Sequence, residues 1–208
     1  MSNDDTYERF VFIHPTKTGG TALEQYFKQN YDSYIKGQGH ELVCNSVDKP
    51  IIIIRNPIDR VISMYKYWKK GSESGPFQRE ESWVEKVKGI NFENFIDLID
   101  NNDELLIHNF TWDQHFASYS EWITEKDWEK TIIILYDPNL DNRIDGLLNY
   151  LEIPNKNIKL EHVNVSKKVD NIILTETIEN KIKKIYEYDF YLWENIINNE
   201  ELFLKVIQ

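Results

Sequence analysis

The chain has 208 residues, 41% of them apolar and 13% aromatic, enough for a buried core and inconsistent with a disordered or fibrous protein. Its 35 acidic and 24 basic residues give a net charge of −11, which argues against general nucleic-acid binding and requires any anionic ligand to be held locally. Apolar runs fall far short of the roughly 18 residues of a membrane span, the acidic start lacks a signal peptide's basic region, and Cys44 is the single cysteine. One cytoplasmic domain over residues 1–208 is therefore expected, with no membrane span and no cysteine-based zinc cluster.

In chain order, Phe10 to His14 reads as a buried strand, because it is β-branched or aromatic and lacks period-2 alternation. Leu23, Tyr26 and Phe27 then recur at helical spacing. The run Ile51 to Ile54 is a second strand, followed by a helix with Val61, Ile62, Tyr65 and Trp68 on one face. Gly71 to Glu81, polar and broken by Gly and Pro, reads as a loop. A third strand, Ile132 to Tyr136, leads to a helix with Ile144, Leu147, Leu148 and Leu151. Thr175 is placed to cap a C-terminal helix carrying Ile178, Ile182 and Ile185. Strands alternating with helices predict an α/β fold, a three-layer sandwich with a mainly parallel central sheet.

Ligands of parallel α/β sheets bind beyond the carboxyl ends of strands, so the two junctions after the first two strands are the candidate site. The first runs from His14 to Ala22 and contains Lys17, Thr18, Gly19, Gly20 and Thr21 ahead of a helix start. Backbone N–H groups there, the Thr18 and Thr21 hydroxyls and the Lys17 ammonium could cradle a phosphate. Equally, Thr21 and Glu24 have the spacing of a capping box, which would leave Gly19 and Gly20 as a plain turn. A Walker A loop places its lysine after the glycines, whereas Lys17 precedes them, so an ordinary P-loop NTPase is disfavoured. At the second junction Asn56 fits an N-cap, Pro57 the first helical position and Asp59 the first turn. Arg55 has no such task, and its guanidinium suits either a phosphate or a neighbouring carboxylate.

Together, the segments Phe12 to Leu23 and Ile52 to Tyr65 resemble the two cofactor signatures of the sulfotransferase superfamily. They are most similar to its carbohydrate-type branch, which includes the heparan sulfate 2-O-sulfotransferases. The resemblance implies a P-loop-like sulfotransferase fold, with Lys17 to Ala22 as the 5′-phosphosulfate loop. It also implies that Arg55 and Ser63, eight residues apart, hold the 3′-phosphate. Gly39-His40 lies where a histidine-base branch has its base, Gln114-His115-Phe116 is similar to an acceptor-side segment, and His162 to Lys168 resembles a late loop over the cofactor. Ile185 to Phe190 is similar to the family's closing helix. Thr16 departs from the pattern, since the family often has proline directly before the lysine.

What the resemblance implies is transfer of the sulfuryl group of 3′-phosphoadenosine 5′-phosphosulfate (PAPS) to an acceptor hydroxyl, with the bisphosphate PAP as product and no metal required. Lys17 would stabilise the leaving phosphate and His40 would be the base, with Glu41, His115 and Asp113 as alternatives. Lys167 and Lys168 would clamp the donor. Trp68, Trp83, Trp112 and Trp122 are either core residues or an adenine or sugar platform. The acceptor, a hydroxyl on a glycan or other small molecule, is set by the loop from Gly71 to Glu81 and the segment from Trp112 to Trp122. A nucleotide kinase or NTPase, and a non-catalytic nucleotide-binding protein, are the alternative functions.

Overall fold

The computed structural model of the chain describes residues 10–39, 49–69, 87–102, 106, 114–123, 125–160, 172–198 and 206–207. Its strands are β1 (Phe10–Ile13), β2 (Ile35–Gly37), β3 (Pro50–Arg55), β4 (Ile132–Tyr136) and β5 (Val206–Ile207). They form one sheet in the order β2-β1-β3-β4-β5, and every pairing is parallel. The predicted strands are β1, β3 and β4. His14 falls just beyond β1, while β3 gains Pro50 at its start, the position in a strand that tolerates a missing N–H. The predicted loop from Gly71 to Glu81 lies outside the described residues.

The helices that flank the sheet are α1 (Gly20–Asn30), α2 (Pro57–Lys69), α3 (Phe92–Asp100), α4 (Leu140–Tyr150), α5 (Glu176–Ile185) and α6 (Glu187–Asn198). All four residues from Ile51 to Ile54 are fully buried, because both faces of the sheet are covered. Ile51, Ile53, Phe12, Ile132 and Ile134 pack under α1 and α4, against Leu23, Tyr26, Phe27, Ile144 and Leu147. Ile52, Ile54, Ile13, Ile133 and Leu135 face the other way, onto Tyr119, Trp122 and Ile196 of α6. Truncating one of these isoleucines to Ala would cost about 2–5 kcal/mol.

A further apolar cluster joins α2, α3 and α5 through Val61, Trp68, Phe95, Ile99 and Ile182. The predicted C-terminal helix is two helices. Thr175 caps α5, accepting from the Ile178 N–H at 3.3 Å, and the helix ends at Tyr186 before α6 begins. Among the described residues no helix is long and apolar enough to cross a membrane.

Candidate active site

With β1 between β2 and β3, the chain leaves β1 toward one side of the sheet and re-enters on the other at β3. The carboxyl ends of β1 and β3 thus flank a topological switch point, where the crevice of an open α/β sheet lies. Both candidate junctions start there.

The first junction is a tight loop. Lys17 at φ 64 and Gly19 at φ 78 both adopt the left-handed conformation, on either side of the buried Thr18. For Lys17 this costs about 1–2 kcal/mol, strain of the kind stored in functional loops. The Thr18 hydroxyl donates to the Pro15 carbonyl at 2.6 Å. Its proton is thereby directed into the loop, toward the Pro15 carbonyl.

Helix α1 starts at Gly20 with Gly19 as N-cap and no side-chain cap. Thr21 therefore lies inside the first turn and is exposed, and no capping box forms. The Glu24 carboxylate is used elsewhere: it accepts the Gly39 N–H at 2.8 Å and stands 3.1 Å from His14 Nε2. First-turn N–H groups without a side-chain cap, together with the helix dipole, suit an anion. The glycines are required by close approach. A Cβ on Gly20 would sit 2.1 Å from the His14 Cβ, and one on Gly19 would sit 2.3 Å from the Tyr136 ring. Ala22 follows, half-buried.

Lys17 is half-buried, with Nζ 4.1 Å above the centre of the Tyr67 ring, a cation–π contact. Tyr67 in turn stacks on His115, ring centres 4.4 Å apart and planes 17° from parallel. His115 is thus one aromatic ring away from the lysine.

At the second junction the local expectations hold. Asn56 Oδ1 accepts from the N–H groups of Ile58 at 3.0 Å and Asp59 at 3.3 Å, and Pro57 opens α2. Arg55, half-buried, reaches toward the first junction: its Nη1 lies 3.5 Å from the Lys17 carbonyl oxygen and its guanidinium 5.0 Å from the Tyr136 ring centre. Among the described residues it has no ion-pair partner, so the carboxylate-paired alternative is not realised there. Ser63 lies half-buried on α2.

Several site residues were not anticipated. Tyr136, at the end of β4, walls both Gly19 and Arg55. Arg60 is 1% exposed and donates from Nε to the Thr16 carbonyl at 3.1 Å, from Nη1 to Asp189 at 3.2 Å and from Nη2 to the Ala117 carbonyl at 2.7 Å. Burial pushes the Asp189 carboxyl above the ordinary carboxylate range, opposed by Arg60 and by hydrogen bonds from Ser118 and the Tyr119 N–H. One signal for Arg60 existed: it falls on the apolar face of α2 with Pro57, Val61 and Met64.

Trp68 and Trp122 are fully buried and belong to the core, so neither is a stacking platform. His40, Glu41, Cys44, Trp83, Trp112, Asp113, Lys167 and Lys168 lie outside the described residues.

No curated protein and no solved structure matches this chain. The family model described as the sulfotransferase family does match, over residues 4–194, a span that takes in both junctions and the segments that brace them. The chain is a member of the sulfotransferase family, and it transfers sulfuryl groups.

Proposed function

We propose that this sulfotransferase takes its sulfuryl group from PAPS and passes it to a hydroxyl, most consistently that of a carbohydrate. When bound, PAPS supplies the activated sulfuryl group and leaves as PAP. The donor assignment is carried above all by the uncapped start of α1 facing Arg55 across one loop, with Nη1 at 3.5 Å from the Lys17 carbonyl oxygen. The residues fit such a ligand: Gly19 is exposed just ahead of the helix start, and the Arg55 guanidinium stands beside the same loop. The carbohydrate branch is supported by the likeness of the two signatures and by His40 following Gly39.

In this reading the N–H groups from Thr18 to Ala22, with the Thr21 hydroxyl, hold the 5′-phosphate. Arg55 and Ser63 hold the 3′-phosphate and select against ordinary adenine nucleotides. Lys17 neutralises charge that grows on the departing phosphate, an interaction stronger in the transition state than before it. His40 takes the acceptor proton, and Lys167 and Lys168 close over the donor. His115 is the alternative base, favoured by its stacking beside Tyr67 and Lys17.

Radiolabelled PAPS and a panel of sugar, lipid and small-metabolite acceptors test this. Lys17→Ala is expected to lower kcat by about 10²–10³, with PAP affinity in calorimetry changed far less. His40→Ala is expected to lower kcat by about 10²–10⁴ at unchanged PAP affinity. Loss of turnover in His115→Ala but not in His40→Ala reassigns the base, and undiminished transfer by Lys17→Ala overturns the mechanism.

A further inference from the structure

We propose that Asp189, on α6, sets the span between the two phosphate junctions and is a positioning residue that determines specificity for a doubly phosphorylated adenosine. This rests on the assignment of the junctions given above. Asp189 is fully buried, and its two oxygens face different ways. Oδ2 accepts from Arg60 Nη1 at 3.2 Å, and Arg60 Nε donates onward to the carbonyl of Thr16, the residue before Lys17, at 3.1 Å. Oδ1 accepts from Ser118 Oγ at 2.5 Å and from the Tyr119 N–H at 2.8 Å. The Tyr119 hydroxyl donates to the Arg55 carbonyl at 2.7 Å and accepts the Arg55 N–H at 2.9 Å. The Arg60 guanidinium also lies 4.7 Å from the Tyr119 ring centre, closing the two branches on each other. One carboxylate therefore governs the backbone of both junctions through a single intermediary each.

The sheet does not need this network, since β1 and β3 already pair directly. It acts beyond the strand ends, on the loops. Nor does stability call for it. A buried ion pair carries a desolvation penalty that a well-packed apolar pair of similar volume avoids. Fixing a distance is a different matter. A ligand gripped at both ends gains from its second contact only if the two grips stand at the ligand's own span, whereas a ligand gripped once is indifferent to it.

The test compares PAP with AMP, which has one phosphate, by calorimetry on the full chain. Two variants are used, Arg60→Met/Asp189→Leu, which removes both charges, and Asp189→Asn, which keeps volume and an acceptor oxygen. Thermal melts and circular dichroism establish that each is folded. The expected result is PAP affinity reduced about tenfold with AMP affinity changed less than about twofold, the effect of losing about 1.4 kcal/mol at one grip. Parallel losses for PAP and AMP, or no loss of either in a folded variant, overturn the positioning role. Failure of the unaltered chain to bind PAP more tightly than AMP overturns the donor assignment itself.

Discussion

Gly20 is where two opposed effects of a single methyl group can be weighed. It sits in the first turn of α1 without a positive φ, so an alanine there is conformationally allowed and, at an open position, would stabilise by about 0.4–1 kcal/mol. Here the added Cβ meets the His14 Cβ at 2.1 Å. Neither atom can rotate away, because both are bonded to backbone. Overpacking of this kind costs about 1–3 kcal/mol, so Gly20→Ala is expected to lower the urea midpoint. A raised midpoint would contradict the close approach of α1 to the end of β1. Residues whose work is local were legible from sequence: Asn56, Pro57 and Thr175 act within three positions of themselves. For Glu24 the sequence left a capping box open as one of two alternatives, and could not decide, because its partners His14 and Gly39 lie 10 and 15 residues away. Arg60 and Asp189 are 129 residues apart, and no local pattern joins them.

Among elements, legibility followed burial and length. The runs in β3 and β4 announce strands because both faces are covered, whereas β2, three residues with an exposed lysine in the middle, has too few apolar positions to stand out. The pattern Phe92, Phe95, Ile96 and Ile99 behind the N-cap Asn91 does signal α3, although the predicted elements omit it. The turn from β4 into α4 is held by an unexpected device. Asn139, its N-cap, makes no side-chain cap bond. Instead Asp137 accepts the Asn139 N–H at 2.9 Å and pairs with Arg143 through both Nε, at 3.0 Å, and Nη2. The Arg143 guanidinium, with the Asn139 N–H adding to it, holds the Asp137 carboxyl below the ordinary carboxylate range, against the opposing effect of burial. A carboxylate with a depressed folded pKa contributes stability that is fully present above its unfolded pKa, about 3.9. That contribution is lost as pH falls through the folded value. The stability difference between the wild type and Asp137→Asn should therefore be constant near neutrality and shrink below about pH 4. Urea titrations at stepped pH measure it, and a gap that widens in acid would refute the pairing.

On the scale of the whole molecule, the sheet order brings together two segments that the sequence keeps apart. Because every strand pair is parallel, the ends of β1 and β3 open on the same edge, and Arg55 meets the loop of Lys17 there. The sequence motifs named candidate residues at both junctions. They could not show the span between the junctions, which depends on α6, far along the chain. With a net charge of −11, electrostatic attraction for an anionic nucleotide has to come from local cations and backbone donors, so its strength depends on how many of them a ligand engages at once. A ligand that binds only the folded chain raises its stability by mass action, about 2.7 kcal/mol at a hundred times Kd. For a chain of this size that corresponds to a rise in Tm of about 5–10 °C. PAP is expected to produce that shift, and AMP at equal concentration a smaller one, because it lacks the phosphate that Arg55 is proposed to hold. Magnesium and ATP together should shift Tm less than PAP does. If they shift it more, the pocket selects a triphosphate and the nucleotide is an ordinary kinase substrate, which would overturn the donor assignment while leaving the fold as described.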